Sequence, residues 1–304
     1  MVSPSNLRRA VHLVVETGMG GTAAACRALG LARSSFYRAG RMASDNRPTN
    51  ERIMELSRNH PRYGYRRITA LLRREGLQIN AKRVQRVRRQ GGLQVRKRQQ
   101  RSRRTGLSTA VRQRADAVNK VWNWDFVEEQ TENGSRFRIL TLIDEHSREC
   151  LAMHAAWSIR AVDVIGVVEE AMSCYGTPQN LRSDNGPEFI AYAIRDWLED
   201  RGVKTMYIKP GSPWENAYIE SFHDKLRDEL LNRELFGSLR EARVILGQWR
   251  REYNDERPHS SLGYQVPSEF AGRTPRVTPV GLRPPCDTRG VFDSERNNKK
   301  RVEL

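Results

Sequence analysis

The sequence predicts an α/β domain on one mixed sheet, preceded by small all-helical modules, and three observations carry that expectation. Positive charge is concentrated in the first third of the chain, where the apolar residues recur at helical spacing. From about residue 119 the texture changes to alternating apolar positions, the mark of strands half-buried against a core. Beyond that point three strands come first and then helices and strands alternate, an order that packs helices around a single mixed sheet.

The charge split is steep. Residues 1–114 hold 27 Lys+Arg against 5 Asp+Glu, a net of +22, whereas residues 115–304 hold 26 against 31, a net of −5. Such a division suits a basic part that grips a polyanion and a separate acidic part able to hold a cation. Arginine dominates the basic part, and its planar fork of donors matches phosphate. Nucleic acid is the leading partner, ahead of an anionic membrane surface. No run approaches the length of a membrane span, the start lacks the apolar core of a signal peptide, and Cys26, Cys150, Cys174 and Cys286 have neither metal-type nor disulfide-type spacing. A cytoplasmic, reduced protein is expected.

Residues 1–45 form the first helical unit. "NLRRAVHLVVETG" sets Leu7, Val11, Val14 and Val15 at helical spacing and stops at Gly18. "TAAACRALGLARSSFYRAG" follows with a short helix, a turn at Gly30 and a second helix from Ser34. That is the layout of a helix-turn-helix, with a plain helical hairpin as the alternative, and it makes Ser34 a candidate DNA contact. Residues 46–95 form a second, basic helical module. Ile53, Met54 and Leu56 face its core, Pro61 interrupts it, and Ile68, Leu71 and Leu72 resume the pattern after Arg66 and Arg67. Asn80 can cap a last helix on which Lys82, Arg86 and Arg89 share one face while Val84 and Val87 turn inward. In so basic a region these cations are candidate phosphate contacts. Residues 96–114 include "RKRQQRSRR" and are too polar to pack, so they read as a basic linker.

The α/β part occupies 115–271. "VWNWDFVEEQ", "RFRILTLIDEHSREC" and "LAMHAAWS" supply three strands, and Trp122 and Trp124 alternate onto one core face. A helix closes at Gly176, "NLRSDNG" gives a fourth strand, another helix closes at Gly202, and "KTMYIKPG" gives a fifth strand. In "GSPWENAYIESFHDKLRDEL", Ser212, Pro213 and Glu215 fit an N-cap, a first-turn proline and a capping acid. Tyr218, Phe222, Leu226 and Leu230 make the apolar stripe, leaving Asn216, Glu220, His223 and Arg227 on the opposite side. A long helix follows from Ser238. The tail, 272–304, is rich in Pro, Arg and Asn with little apolar pattern, which predicts disorder.

Three carboxylates stand out by placement. Asp125 lies inside the first strand, where a charge is costly unless something pairs with it. Asp184 ends the fourth strand before the turn Asn185-Gly186, and Glu220 projects from the helix after the fifth strand. Ligand sites in open α/β sheets collect beyond strand ends. Carboxylates gathered there repel one another unless a cation sits among them, and oxygen-only ligands select Mg²⁺ or Mn²⁺. An ordinary solvated helix face remains the alternative for Glu220 at this point.

Thirty-five residues separate Asp184 from Glu220. With "SDNGPEF" around the first and "ENAYIESFHDKLRDELL" around the second, the chain resembles the DDE transposases of bacterial insertion sequences of the IS-three family. "YNDERPHSSLGYQVPSEF" and "HPRYGYRRI" extend the resemblance over residues 20–270. It implies a ribonuclease-H-like core, Asp125, Asp184 and Glu220 as the catalytic and metal-binding triad, and two Mg²⁺ (or Mn²⁺) ions. It narrows the partner to double-stranded DNA and further implies cleavage at element ends, transfer of the 3′-hydroxyl to target DNA, and a homo-oligomer assembled on that DNA. Arg227, two turns after Glu220, is implied as a phosphate contact. At positions 223 and 224 the family often has Asn-Gly and this chain has His-Asp, which leaves a DNA contact there in doubt. Unlike the retroviral integrases that share the fold, the chain lacks a His/Cys zinc module at its front. The resemblance also implies an upstream-frame partner, with this chain the downstream product.

Two other functions compete: a DNA-binding repressor or end-binding factor with a dead core, and a nuclease of the same fold without strand transfer. Other acids have simpler explanations, Asp144 in a turn and Asp228 and Glu229 in solvent. His223 and His259 are expected in structural or DNA contacts rather than as bases, because metal-activated water makes a histidine base unnecessary. Tyr253, Arg257 and His259 are either DNA contacts or supports for the helix end.

Overall fold

The computed structural model describes residues 4–37, 47–95, 115–183, 192–207 and 216–272. Asp184, the capping residues Ser212, Pro213 and Glu215, the 96–114 linker and the 273–304 tail lie outside them. The chain divides into two compact units, residues 1–97 and 98–304.

In the first unit, α1 (Pro4–Glu16), α2 (Thr22–Ala28) and α3 (helical over 33–37) gather around Val11, Ala25, Cys26 and Leu31. Val15, expected on the apolar stripe, is instead exposed, because the small contact with α2 and α3 covers only the face of Leu7, Val11 and Val14. Gly30 takes φ 64° at the turn, a left-handed conformation natural to glycine. The second module consists of α4 (Arg47–Asn59), α5 (Tyr65–Arg74) and α6 (Ala81–Gln90). Ile53, Ile68, Leu72 and Val84 are completely buried in it. Each such side chain contributes about 1.5–3 kcal/mol of burial. Asn80 caps α6 through its side chain, which accepts from the Lys82 amide at 2.8 Å.

The second unit is built on a five-stranded sheet ordered β3-β2-β1-β4-β5. Its strands are β1 (Val121–Gln130), β2 (Arg136–Asp144), β3 (Cys150–Ala156), β4 (Asn180–Ser183) and β5 (Lys204–Tyr207). The first three are antiparallel neighbours, while β4 and β5 run parallel to β1. This is the mixed, ribonuclease-H-like arrangement. Period-two alternation sorts β1 between the faces. Trp122 and Trp124 point to the core under α7 (Ala161–Tyr175) and α8 (Tyr192–Asp200), as expected for core tryptophans. Asn123, Asp125 and Val127 point to the other face. That face is covered by α9 (Ala217–Leu226) and α10 (Leu239–Arg251), whose Phe222, Leu226, Leu246 and Trp249 pack there with Ile139 and Val127.

One difference from expectation concerns the end of the domain. Glu229 is not solvated: Arg257 Nε and Nη2 donate to its two carboxylate oxygens at 2.7 and 2.5 Å, with the arginine and glutamate side chains 1% and 8% exposed. Tyr253, Arg257 and His259 are all buried, so they support the helix end rather than offering a DNA surface. The π-helical turns at Arg227–Leu231 and Glu252–Glu256 bring these residues together in a way helical spacing could not anticipate. Cys26 and Cys150 are free and buried. Among the described residues no helix is long and apolar enough to cross a membrane.

Candidate active site

The centre of β1 and the start of α9 define the site. α9 packs against β1, and its buried side is Ile219, Phe222 and Leu226. The remaining face is not an ordinary solvated one. Asn216 is buried, His223 is largely covered, and of the four polar residues on that side only Glu220 and Arg227 are exposed. The helix lies across the sheet, so its polar face meets polar side chains of β1 and β2.

Asp125 is the strand's contribution, with a side chain 21% exposed. One carboxylate oxygen accepts from the Phe126 amide at 2.7 Å, and the other lies 3.6 Å from His223 Nδ1. Thr141, opposite Asp125 in the β1–β2 register, donates to the Asp125 carbonyl at 2.9 Å. The same hydroxyl also lies within hydrogen-bonding distance, 2.8 Å, of His223 Nε2. Burial and then the Arg227 guanidinium push the His223 pKa down to about 4, so the ring is neutral at pH 7. His223 thus has the structural role expected of it, fastening α9 to β1 and β2 one turn after Glu220.

The donor set fits a hard divalent cation: Asp125 and Glu220 both present carboxylate oxygen to accessible space. Among the described residues no three His, Cys, Asp or Glu side chains gather as a metal cage, and Asp184 lies outside them. The described part of β4 ends at Ser183, with Asn123 paired to Arg182 in parallel register. Asp144 is a turn residue as expected, accepting from the Asn119, His146 and Ser147 amides and the Ser147 hydroxyl at 2.7–3.0 Å.

A polar cluster behind Asp125 has no counterpart among the sequence-based expectations. Asn123 Nδ2 donates to Glu145 Oε1 at 3.2 Å and to Asn216 Oδ1 at 3.0 Å, and Arg182 Nε lies 3.4 Å from the same Glu145 oxygen. Burial raises the Glu145 pKa to about 7 against the opposing pull of Arg182 and Asn123. The available signal was an Asn or Arg two positions before a candidate strand carboxylate, on the same face.

In the helical unit, Ser34, Lys82, Arg86 and Arg89 are exposed, with Val84 inward and Val87 partly covered. Arg66 is exposed and donates to the Tyr65 hydroxyl at 3.2 Å, and Arg67 lies over the Tyr63 ring at 5.4 Å. Arg88, which charge patterning alone does not set apart from its neighbours, is buried. Its Nε and Nη2 have no hydrogen-bond partner among the described residues, and desolvation lowers its pKa.

This topology, with a carboxylate on the central strand and another on the helix crossing it, defines an integrase-type core. Residues 115–213 and 201–267 match models described as "Integrase core domain", and residues 45–101 match an "HTH-like domain", which covers α4–α6 rather than α1–α3. The "uncharacterized 31.7 kDa protein" of insertion element IS407 from Burkholderia multivorans is 39% identical over 251 residues, 82% of this chain and 90% of its own length. The 39.2 kDa protein of IS476 from Xanthomonas euvesicatoria is 37% identical over 89% of this chain and 78% of its own. The putative transposase InsK of IS150 from Escherichia coli is 29% identical over 83% and 94% respectively. The HTLV-2 integrase catalytic core aligns with 52% of this chain and 99% of itself at TM-score 0.42 and 15% identity. The chain belongs to the family of bacterial insertion-element transposases that carry an integrase core.

Proposed function

We propose that the chain is a DDE transposase in which Asp125, Asp184 and Glu220 hold Mg²⁺ or Mn²⁺, two ions in all. One observation carries this reading: Asp125 faces α9, and α9 meets it at His223, one turn from Glu220. The register adds support, because Asp125 and Asp184 each follow a member of the Asn123–Arg182 pair by two residues. Such ions, when bound, activate the attacking oxygen and stabilise the leaving one. In the first step water attacks a phosphorus at the element end and the bond to the 3′-oxygen breaks, leaving a 3′-hydroxyl and a 5′-phosphate. In the second, that hydroxyl attacks a target phosphorus and displaces the target's own 3′-oxygen.

The chain's side chains position these reactants. The neutral His223 ring keeps α9 on β1 through Thr141. Arg227, exposed beyond Glu220, supplies a guanidinium for a backbone phosphate. Lys82, Arg86 and Arg89 offer a phosphate-binding face, with Arg66, Arg67 and Ser34 as further contacts. The partners are the element's terminal repeats, target DNA, further copies of this chain and an upstream-frame product, with the protein working at the nucleoid. Domain limits at 45, 95, 114 and 271 belong to the same proposal. Glu220→Gln tests it: Mg²⁺-dependent cleavage of element-end DNA disappears while DNA binding persists. Cleavage surviving in that variant removes Glu220 from the triad.

A further inference from the structure

We infer that Glu145 is a positioning residue that sets the three carboxylate-bearing elements against one another. This rests on the triad proposed above. Glu145 lies just past β2, and its side chain is completely buried. Through Oε1 it reaches Asn123 and Arg182, and through Asn123 it reaches Asn216. The spacing of these three is the telling feature. Asn123 precedes Asp125 by two residues and Arg182 precedes Asp184 by two, while Asn216 precedes Glu220 by four. On a strand a step of two returns to the same face, and on a helix a step of four does so. The network therefore ties together β1, β4 and the residue that opens α9, two residues before Asp125 on β1 and four before Glu220 on α9.

Its chemistry suits geometry better than stability. Both Nδ2 protons of Asn123 are used, one toward each neighbour. Glu145 Oε2 and Asn123 Oδ1 are buried and have no hydrogen-bond partner among the described residues. A partly satisfied polar cluster is less stabilising than apolar packing of the same volume, so its worth lies in fixing one arrangement. Arg148 adds a second fastening from the same turn, stacking on the Tyr218 ring of α9 at 3.8 Å. Asn216 leaves its own helix uncapped, with no side-chain bond to the α9 backbone, and turns to Asn123 instead.

The full chain carrying Glu145→Ala or Glu145→Gln, with Glu220→Gln alongside, tests this. Three quantities are measured: Mn²⁺ affinity by paramagnetic resonance, hydrogen exchange across the first turn of α9 without metal, and cleavage of DNA bearing the element's terminal repeats. Glu145→Ala binds Mn²⁺ about tenfold or more weakly, as happens when groups supporting metal ligands are removed. Its α9 amides exchange faster, and its cleavage recovers in part at high Mn²⁺. Glu145→Gln keeps the Oε1 acceptor for Asn123 and lies between it and wild type. A folded Glu145→Ala protein with wild-type Mn²⁺ affinity and exchange overturns the inference. If Glu145→Ala does not fold, Asn216→Ala decides by the same readouts, and wild-type Mn²⁺ affinity there overturns it equally. Cleavage by Glu220→Gln refutes the triad itself. An inactive Glu220→Gln beside an unaltered Glu145→Ala refutes only the positioning role.

Discussion

Replacing Arg257 by Ala separates a folding role from a DNA-contact role at the end of the catalytic unit. Arg257 is 1% exposed and gives Glu229 two hydrogen bonds, of 2.7 and 2.5 Å, from its Nε and Nη2. Its guanidinium also lies over the Tyr253 ring at 5.5 Å, and Nη1 is 3.4 Å from His259 Nε2. Removing it leaves a carboxylate that is only 8% exposed without its cation. Breaking a buried pair from one side costs about 3–5 kcal/mol, whereas an exposed pair contributes about 0.2–1 kcal/mol. In a unit of this size the first figure lowers Tm by about 6–20 °C and the second by less than about 4 °C. Arg257→Lys falls in between, because an ammonium cannot reproduce the paired fork. Thermal unfolding followed by circular dichroism measures the shift, and DNA affinity is measured well below the variant's Tm. A Tm lowered by less than about 2 °C, accompanied by a collapse of DNA affinity, would refute the reasoning and make Arg257 a DNA contact.

Glu145, an acid whose pKa rises to about 7 on folding, binds a proton more tightly in the folded chain than in the unfolded one, so stability falls as pH rises through the window from about 4.5 to 7. A shift of that size corresponds to roughly 3 kcal/mol, read as the difference in urea-unfolding free energy between wild type and Glu145→Gln across that window. Equal pH profiles for the two proteins contradict it. Exchanging Lys82, Arg86 and Arg89 together for Ala weakens DNA binding about equally for all sequences. It lowers the log–log salt slope by roughly 0.9 for each phosphate no longer neutralised, about 3 in all. Because all three are exposed, Tm stays near the wild-type value. An unchanged slope assigns the DNA surface elsewhere.

The placement of Trp122 and Trp124 in the core was legible because strand alternation alone puts them on one face. Asp144 was legible as a turn residue from its place in "LIDEHSR", and the inward Val84 from helical spacing. Glu229 and Arg257 were not. Twenty-seven residues separate them in the sequence, and two π-helical turns that no simple periodicity encodes bring them together. Val15 was misplaced for a related reason: a stripe marks which residues can be buried, while the area of the opposing helices decides how many are.

By itself the sequence determined the order of strands and helices, the basic and acidic parts, and the 35-residue gap between Asp184 and Glu220. Each of these is a local or linear property, set by side-chain period, charge and distance along the chain. Only the tertiary structure decided what lies behind Asp125. Glu145 meets Asn123, Arg182 and Asn216 because β2, β4 and α9 converge on β1, and that convergence follows from sheet order and helix packing. Those contacts join residues up to 93 positions apart. No local pattern encodes such a separation.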